Sequence, residues 1–133
     1  MLHVMAIWAA YVQKHHAFLS DVFMAETRKF MSSTYLQASD VRVYVHNKQI
    51  VGFVAMVKTY VGVLFVGCEY EGKGFAKALL EEVNVLEEEL VTSAYSENKD
   101  GCSFYERHGF AFVKKEIQDI SGEYLTYYRL PKS

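Results

Sequence analysis

Hydrophobic residues recur along this chain with two spacings, one typical of helices and one typical of strands. The first helical set predicts a helix at the start of the chain and consists of Val4, Ile7, Trp8, Tyr11 and Val12. Ser20 and Asp21 can cap a second helix, which we place over residues 21–35. The residues of that helix expected to face the core or a substrate, most of them the core, are Phe23, Met24, Thr27, Phe30 and Met31.

A strand pattern follows the two helices. Val41, Val43 and Val45 alternate with polar or aromatic neighbours, which predicts a half-buried strand. Asn47 and Lys48 supply a turn. Residues 50–58 then read as a strand that is apolar on both faces, residues 60–62 as a break, and residues 63–66 as a further strand. The pattern predicts an antiparallel meander of three strands.

The second half of the chain begins with another amphipathic helix, predicted from Lys77 onward. Its apolar positions share one face and are Leu79, Leu80, Val83, Leu86 and Leu90. The opposite face carries Glu81, Glu82, Glu87, Glu88 and Glu89. A strand over 91–95, a helix over 99–108 ended by Gly109, and a hairpin over 112–130 that turns at Ser121 and Gly122 complete the prediction.

A glycine-rich bend lies between the strand over 64–66 and the helix that follows it. Gly72 and Gly74 allow the backbone to approach a ligand and to adopt dihedral angles that side chains disfavour. The start of the helix adds unpaired amides and the positive end of its dipole, a combination that binds phosphate or pyrophosphate. Residues 67–73 also fit the GxxxxGK opening of a nucleotide-binding P-loop, but Gly74 stands where Ser or Thr would hold magnesium.

A second motif identifies the bend more narrowly. Residues 71–76 read EGKGFA, which resembles the pyrophosphate loop of the GNAT N-acetyltransferases, in which Gln or Arg stands first. Asn98, the Phe104–Tyr105 pair and the Gly109–Phe110 pair then follow with the spacing of that family. The chain from Val41 onward is therefore similar to small single-domain bacterial GNAT enzymes. The resemblance implies one domain over residues 1–133 with an α/β GNAT fold, a mixed, mostly antiparallel sheet flanked by helices.

The resemblance also implies acetyl-CoA as acyl donor and cosubstrate, without a metal. In this family the coenzyme arm enters where two neighbouring strands splay apart, and the loop amides take the pyrophosphate. The residues implied at the cofactor are Phe65, Val66, Glu71, Gly72, Lys73, Gly74, Phe75, Ala76, Lys77 and Asn98. From the residues alone, the two lysines could equally be solvated surface charges and Asn98 a helix cap.

Tyr105 is the implied catalytic residue. When a primary amine attacks the thioester directly, the departing thiolate needs a proton, and a phenol of ordinary pKa about 10 can donate it. The acceptor amine implied by the resemblance belongs to a small molecule, a protein lysine or a protein N-terminus. His16 and Phe18 are implied at this amine, although His16 also fits a polar helix junction. Glu69, Glu97 and His16 are weak candidates for the general base. The alternative is a non-catalytic acetyl-CoA-binding or regulatory module of the same fold.

Glu71 departs from the family pattern. A carboxylate beside a pyrophosphate costs about 1 kcal/mol or more at the surface. On charge alone, we expect Glu71 to weaken cofactor binding and Glu71→Gln to tighten it.

Composition limits the other classes of function. The chain has 133 residues, a formal net charge of -2 and two cysteines, so it carries no basic field for nucleic acid and too few cysteines for a disulfide scaffold. No apolar run approaches the roughly twenty residues of a membrane span, and we expect a cytoplasmic protein.

GNAT domains usually begin with a strand, whereas this chain begins with a helix, so the strand is absent or the start is shortened. An uncovered sheet edge would favour a homodimer.

Overall fold

A computed structural model describes residues 2–84 and 89–132 of the chain. In chain order, the helices and strands are α1 (Leu2–His15), α2 (Asp21–Phe30), α3 (Leu36–Ala38), β1 (Asp40–His46), β2 (Gln49–Val57), β3 (Tyr60–Val66), α4 (Phe75–Asn84), β4 (Leu90–Tyr95), α5 (Lys99–Arg107), β5 (Ala111–Gln118) and β6 (Glu123–Leu130). A π-helical turn (Met31–Tyr35) joins α2 to α3, and a 3-10 turn (Cys68–Tyr70) follows β3.

The strands form one sheet in the order β1-β2-β3-β4-β6-β5. Every neighbouring pair is antiparallel except β3 and β4, which are parallel. Phe53 and Ala55 of β2 pack with α1 on one face of the sheet, and Val54 packs with α4 on the other. The predicted α/β fold, with a mostly antiparallel sheet flanked by helices, is therefore confirmed, and helices on both faces explain why residues 50–57 of β2 are apolar on both faces.

Short-range sequence signals correctly predict where several helices and strands begin or end. The Ser20 hydroxyl accepts a hydrogen bond from the amide of Phe23 (3.1 Å), which caps α2. Asn47 and Lys48 turn the chain between β1 and β2 with φ of 51° and 66°. Gly109, with φ of 92°, follows the last turn of α5.

Residues 60–62, predicted as a break, belong to β3. The turn lies earlier, at Lys58 and Thr59, and β3 begins at Tyr60. Gly62 is an extra residue in β3, because Val61 and Val63 pair with the consecutive residues Met56 and Ala55 of β2. Such a bulge interrupts the alternation of side chains between the two faces, which is why the sequence reads as a break.

Two expectations about apolar side chains are also wrong. Leu90, assigned to the helical stripe, is the first residue of β4, because α4 ends at Asn84. Phe30, expected in the core, is 51% exposed on the outer side of α2. Leu86, Glu87 and Glu88 of the predicted stripe and its charged face lie outside the described residues.

The first element that the structure describes is α1, and β1 and β5 form the two edges of the sheet. The usual first strand of the family is thus not present among residues 2–84 and 89–132. Homodimer formation at an uncovered edge stays a prediction. No helix in the described part of the chain is both long and apolar enough to cross a bilayer.

Candidate active site

The sheet opens between its two parallel strands. Tyr60 and Val61 of β3 pair with Val91 and Thr92 of β4, and beyond these two pairs the strands diverge. A cavity of about 630 Å³ occupies the opening, and Phe65 and Val66 are part of its wall. Among the described residues, no strand pairs with the β4-facing edge of β3 beyond Val61, so its backbone groups there can bind an extended ligand.

The glycine loop forms one end of this cavity. Gly72 and Gly74 line it with φ of 79° and 86°, and a Cβ placed on either would have no atom within 4 Å. The amide of Ala78 donates to the carbonyl of Gly74 (3.1 Å), so the amides of residues 75–77 precede the first helical donor and have no acceptor within α4. Open space, bare backbone and a helix N-terminus fit a pyrophosphate group.

The remaining loop residues differ in their positions. Ala76 and Lys77 line the cavity, whereas Lys73 is exposed and does not belong to the lining. Phe75 lines the cavity and also packs against Tyr44 and His46 of β1, with ring centroids 4.6 and 5.0 Å apart. Of the two predicted lysines, Lys77 alone is placed to contact a ligand in this cavity.

Tyr105 lies deep in the cavity wall, near the point where β3 and β4 separate. It is carried by α5 and is only 7% exposed. Burial raises the pKa of Tyr105, and its contact with Thr92 opposes that shift only in part. The Thr92 hydroxyl itself donates to the carbonyl of Val61 (2.8 Å), at the last pair before the strands part. The phenol therefore stays protonated at neutral pH and can act as a proton or hydrogen-bond donor.

Asn98 and His16 meet in the cavity wall. The Asn98 side-chain oxygen accepts from the amide of Gly101 (3.0 Å), so Asn98 caps α5. Its amide nitrogen lies 3.1 Å from the Tyr11 hydroxyl and 3.3 Å from Nε2 of His16. The helix-cap interpretation of Asn98 is confirmed, and its contact with the cofactor stays a prediction.

These contacts define the state of His16. Because Asn98 donates, Nε2 of His16 must accept, which corresponds to a neutral imidazole with its proton on Nδ1. Burial, with a smaller contribution from His15, lowers the pKa of His16 to about 4. His16 is therefore uncharged at neutral pH, and its Nε2 is already engaged.

Aromatic rings surround His16 and form part of the cavity wall. Tyr11 stacks on Phe65 with ring centroids 3.8 Å apart, and the edge of His16 faces Tyr95 at 5.0 Å. Phe18 packs against His16 and Tyr95 from behind and does not line the cavity itself. Burial, which outweighs the hydrogen bond to Asn98, raises the pKa of Tyr11 to about 12.

Sequence reasoning missed several residues of the wall: Tyr11, His15, Tyr60, Ser93, Tyr95, Asp100, Arg107, His108 and Gln118. Tyr11 was assigned to the apolar stripe of α1, and the polar hydroxyl of tyrosine was the one available hint that it belongs elsewhere. The place of Arg107 two residues after Tyr105 gave no such signal, because side chains two residues apart on a helix do not share a face.

The carboxylates of the cavity are not those expected for a general base. Glu69 and Glu97 are exposed and outside the lining, whereas Glu71 and Asp100 belong to it. His16 is the one weak candidate that does line the cavity. Within residues 2–84 and 89–132, no three His, Cys, Asp or Glu side chains come together as a metal site would require.

Glu71 points from the loop toward the end of α1. Its carboxylate contacts Nζ of Lys14 at 2.5 Å and Nε2 of His15 at 2.6 Å. Partial burial would raise the pKa of Glu71, but the bonds from Lys14 and His15 outweigh it and lower the pKa. The carboxylate is therefore ionised at neutral pH and balanced by its partners.

The chain is similar in sequence and fold to known proteins. The family model for the acetyltransferase (GNAT) domain matches residues 37–111, more than half of the chain. A peptidyl-lysine N-acetyltransferase, YjaB of Salmonella typhimurium, is 27% identical over 122 residues, covering 91% of this chain and 84% of that protein.

Solved structures agree with the sequence comparison. The apo form of Escherichia coli YjaB superposes with a TM-score of 0.86 at 25% identity, over 98% of this chain and 90% of that one. A putative streptothricin acetyltransferase from Bacillus anthracis, solved in complex with acetyl coenzyme A, has the same fold, with a TM-score of 0.66 at 19% identity over 76% of this chain and 70% of its own. The chain therefore belongs to the GNAT family of N-acetyltransferases.

Proposed function

We propose that this protein transfers an acetyl group from acetyl-CoA to a primary amine, with Tyr105 as the general acid. The observation that carries the proposal is the shared cavity: the glycine loop, the open edge of β3 and Tyr105 all face one space. Gly72 to Ala76 would hold the pyrophosphate, and the backbone at Phe65 and Val66 would hold the pantetheine arm.

The reaction requires a proton donor for the sulfur atom that leaves as a thiolate. When the amine nitrogen attacks the thioester carbonyl, a carbon–nitrogen bond forms, the carbon–sulfur bond breaks, and the thiolate takes up a proton. Tyr105 would supply that proton or a hydrogen bond, since burial keeps its phenol protonated. The proton lost by the amine would pass to water, because Nε2 of His16 already accepts from Asn98.

A protein lysine side chain is the acceptor to test first. YjaB of Salmonella typhimurium, a peptidyl-lysine N-acetyltransferase, is similar to this chain over most of both proteins. The rings of Tyr11, Phe65 and Tyr95 also line the cavity, and their apolar surface suits the methylenes of a lysine side chain.

Isothermal titration of the purified protein tests the donor. We expect saturable binding of acetyl-CoA and none of ATP with magnesium, because Gly74 replaces the metal-binding residue of a P-loop. A protein that binds ATP with magnesium, or that does not bind acetyl-CoA, would contradict the proposal.

A turnover assay separates the enzyme from its alternative, a non-catalytic acetyl-CoA-binding module. The observation that favours the alternative is that two candidate bases of the cavity are already engaged, Glu71 by Lys14 and His15 and Nε2 of His16 by Asn98. We expect acetyl-CoA and a lysine peptide to release free thiol and acetylated peptide in equal amounts. Binding without any release across an amine panel would establish the alternative.

Gly74→Ala tests the glycine loop. An alanine at φ of 86° costs about 1–2 kcal/mol of backbone strain, so the loop shifts and acetyl-CoA should bind about tenfold more weakly. Gly122→Ala is the matched control: its φ is 75°, its Cβ would also meet no atom within 4 Å, and it lies in the β5–β6 turn. Equal Kd values for the two variants would exclude the loop as the binding element.

A further inference from the structure

The residue before the glycine loop is tied to a helix from the start of the chain. One carboxylate oxygen of Glu71 accepts a hydrogen bond from Lys14, and the other contacts Nε2 of His15. These partners are 57 and 56 residues away in sequence, at the last turn of α1. The contact therefore joins the loop to the helix that carries Tyr11.

Few side chains of the loop itself make contacts. A Cβ on Gly72 or Gly74 would touch nothing within 4 Å, and Lys73 is exposed. At the end of the loop, Phe75 packs against the rings of Tyr44 and His46 on β1. Before the loop, Tyr70 packs near the ring of Phe75 (6.1 Å between centroids), and Glu71 is the side chain that ties the loop to α1.

The contact of Glu71 is well placed to act as an anchor. His15 is almost enclosed, with a side chain 8% exposed, and its ring lies 4.3 Å from that of Tyr11. Its other nitrogen, Nδ1, is 3.7 Å from the Asp100 carboxylate at the start of α5. A fixed imidazole gives the Glu71 carboxylate a fixed partner, and charge-assisted bonds of this kind are the stronger ones.

We propose that Glu71 is a positioning residue for acetyl-CoA: by binding Lys14 and His15, it holds the amides of residues 72–76 in the arrangement that takes the pyrophosphate. The inferred effect of Glu71 on acetyl-CoA binding rests on the proposed function. It also reverses the expectation from charge alone, because Lys14 balances the carboxylate and the loop would lose an anchor if Glu71 were replaced. An ordered loop binds more tightly since less freedom is lost on binding.

Calorimetry on a set of variants tests the inference. We expect Glu71→Ala to weaken acetyl-CoA binding about tenfold, in KM rather than in kcat, and Lys14→Met to weaken it less, because His15 still binds the other carboxylate oxygen. The double variant should be no weaker than Glu71→Ala alone, because Glu71→Ala already removes the contact with Lys14. Lys14→Arg should restore nearly normal affinity. Glu82→Gln is the control, because it breaks an exposed ion pair with Arg42 away from the cavity.

Hydrogen exchange keeps the inference testable without any ligand. The amide of Ala78, which is bonded to the loop carbonyl of Gly74 (3.1 Å), should exchange several-fold faster in Glu71→Ala than in the wild type, whereas Glu82→Gln should leave its exchange rate unchanged. Failure of the wild type to bind acetyl-CoA would overturn the proposed function, and unchanged exchange in Glu71→Ala would overturn the anchor. Equal or tighter acetyl-CoA binding by Glu71→Ala or Glu71→Gln would also overturn it.

Discussion

Replacing Tyr105 with phenylalanine should lower kcat for acetyl transfer by about 100-fold and leave the Kd for acetyl-CoA within about twofold. The ring would keep its packing against Phe110 and Tyr128, so the change removes one hydroxyl from a filled site. That hydroxyl is the donor proposed for the departing sulfur. Steady-state kinetics with acetyl-CoA and a lysine peptide, together with calorimetry, measure the two quantities separately.

Tyr128→Phe is the matched control for this prediction. Tyr128 is 2% exposed, lies in the same core and donates its hydroxyl to Glu106 (2.7 Å), but it does not line the cavity. We expect its kcat to stay within about twofold of the wild type. Full activity in Tyr105→Phe, or an equal loss in both variants, would show that the Tyr105 hydroxyl has no chemical role.

The second large effect is on stability. The free energy of unfolding should fall by about 3 kcal/mol as the pH is lowered from 7 to 4, through His16 alone. The pKa of His16 is lowered from 6.5 to about 4 in the folded protein, mainly by burial. Between these two values the unfolded chain binds a proton that the folded protein does not, so stability is complete above pH 6.5 and decreases toward pH 4. Below that, both states are protonated and the loss stops growing.

Urea unfolding at several pH values measures this effect. Other groups titrate in the same range, including Glu71, whose lowered pKa also removes stability in acid. The useful quantity is therefore the difference between the wild type and His16→Gln, which can still accept the hydrogen bond from Asn98. We expect the difference to shrink by about 3 kcal/mol from pH 7 to pH 4. If the unfolding free energies of the wild type and His16→Gln changed with pH in parallel, His16 would be as solvated in the folded protein as in the unfolded chain.

Local chemistry explains the elements that the sequence predicted well. Ser20, the Asn47–Lys48 turn and Gly109 act on backbone groups within four residues of themselves, so their effects need no knowledge of the fold. The predictions that the structure contradicts concern features that depend on contacts between distant parts of the chain. Leu90 continues the spacing of the helical stripe, yet it lies in β4 because the chain must return to pair beside β3.

The bulge in β3 shows the same limit at the scale of one residue. A side chain on Gly62 would overlap the hydroxyl of Tyr35, which arrives from the π-helical turn 27 residues earlier. Neither the need for glycine nor the shifted register of β3 can be read from the alternation of apolar residues around it.

The sequence by itself determined the order of helices and strands, the glycine loop and the motif that carries Tyr105, because each of these depends on residues close together in the chain. Only the tertiary structure decided which groups face one another across the cavity. It brings Glu71 to Lys14 and His15, and Asn98 to His16, over separations of 56 to 82 residues. Charge balance and burial depend on such distant neighbours, and they set the pKa of His16 and the direction in which Glu71 points.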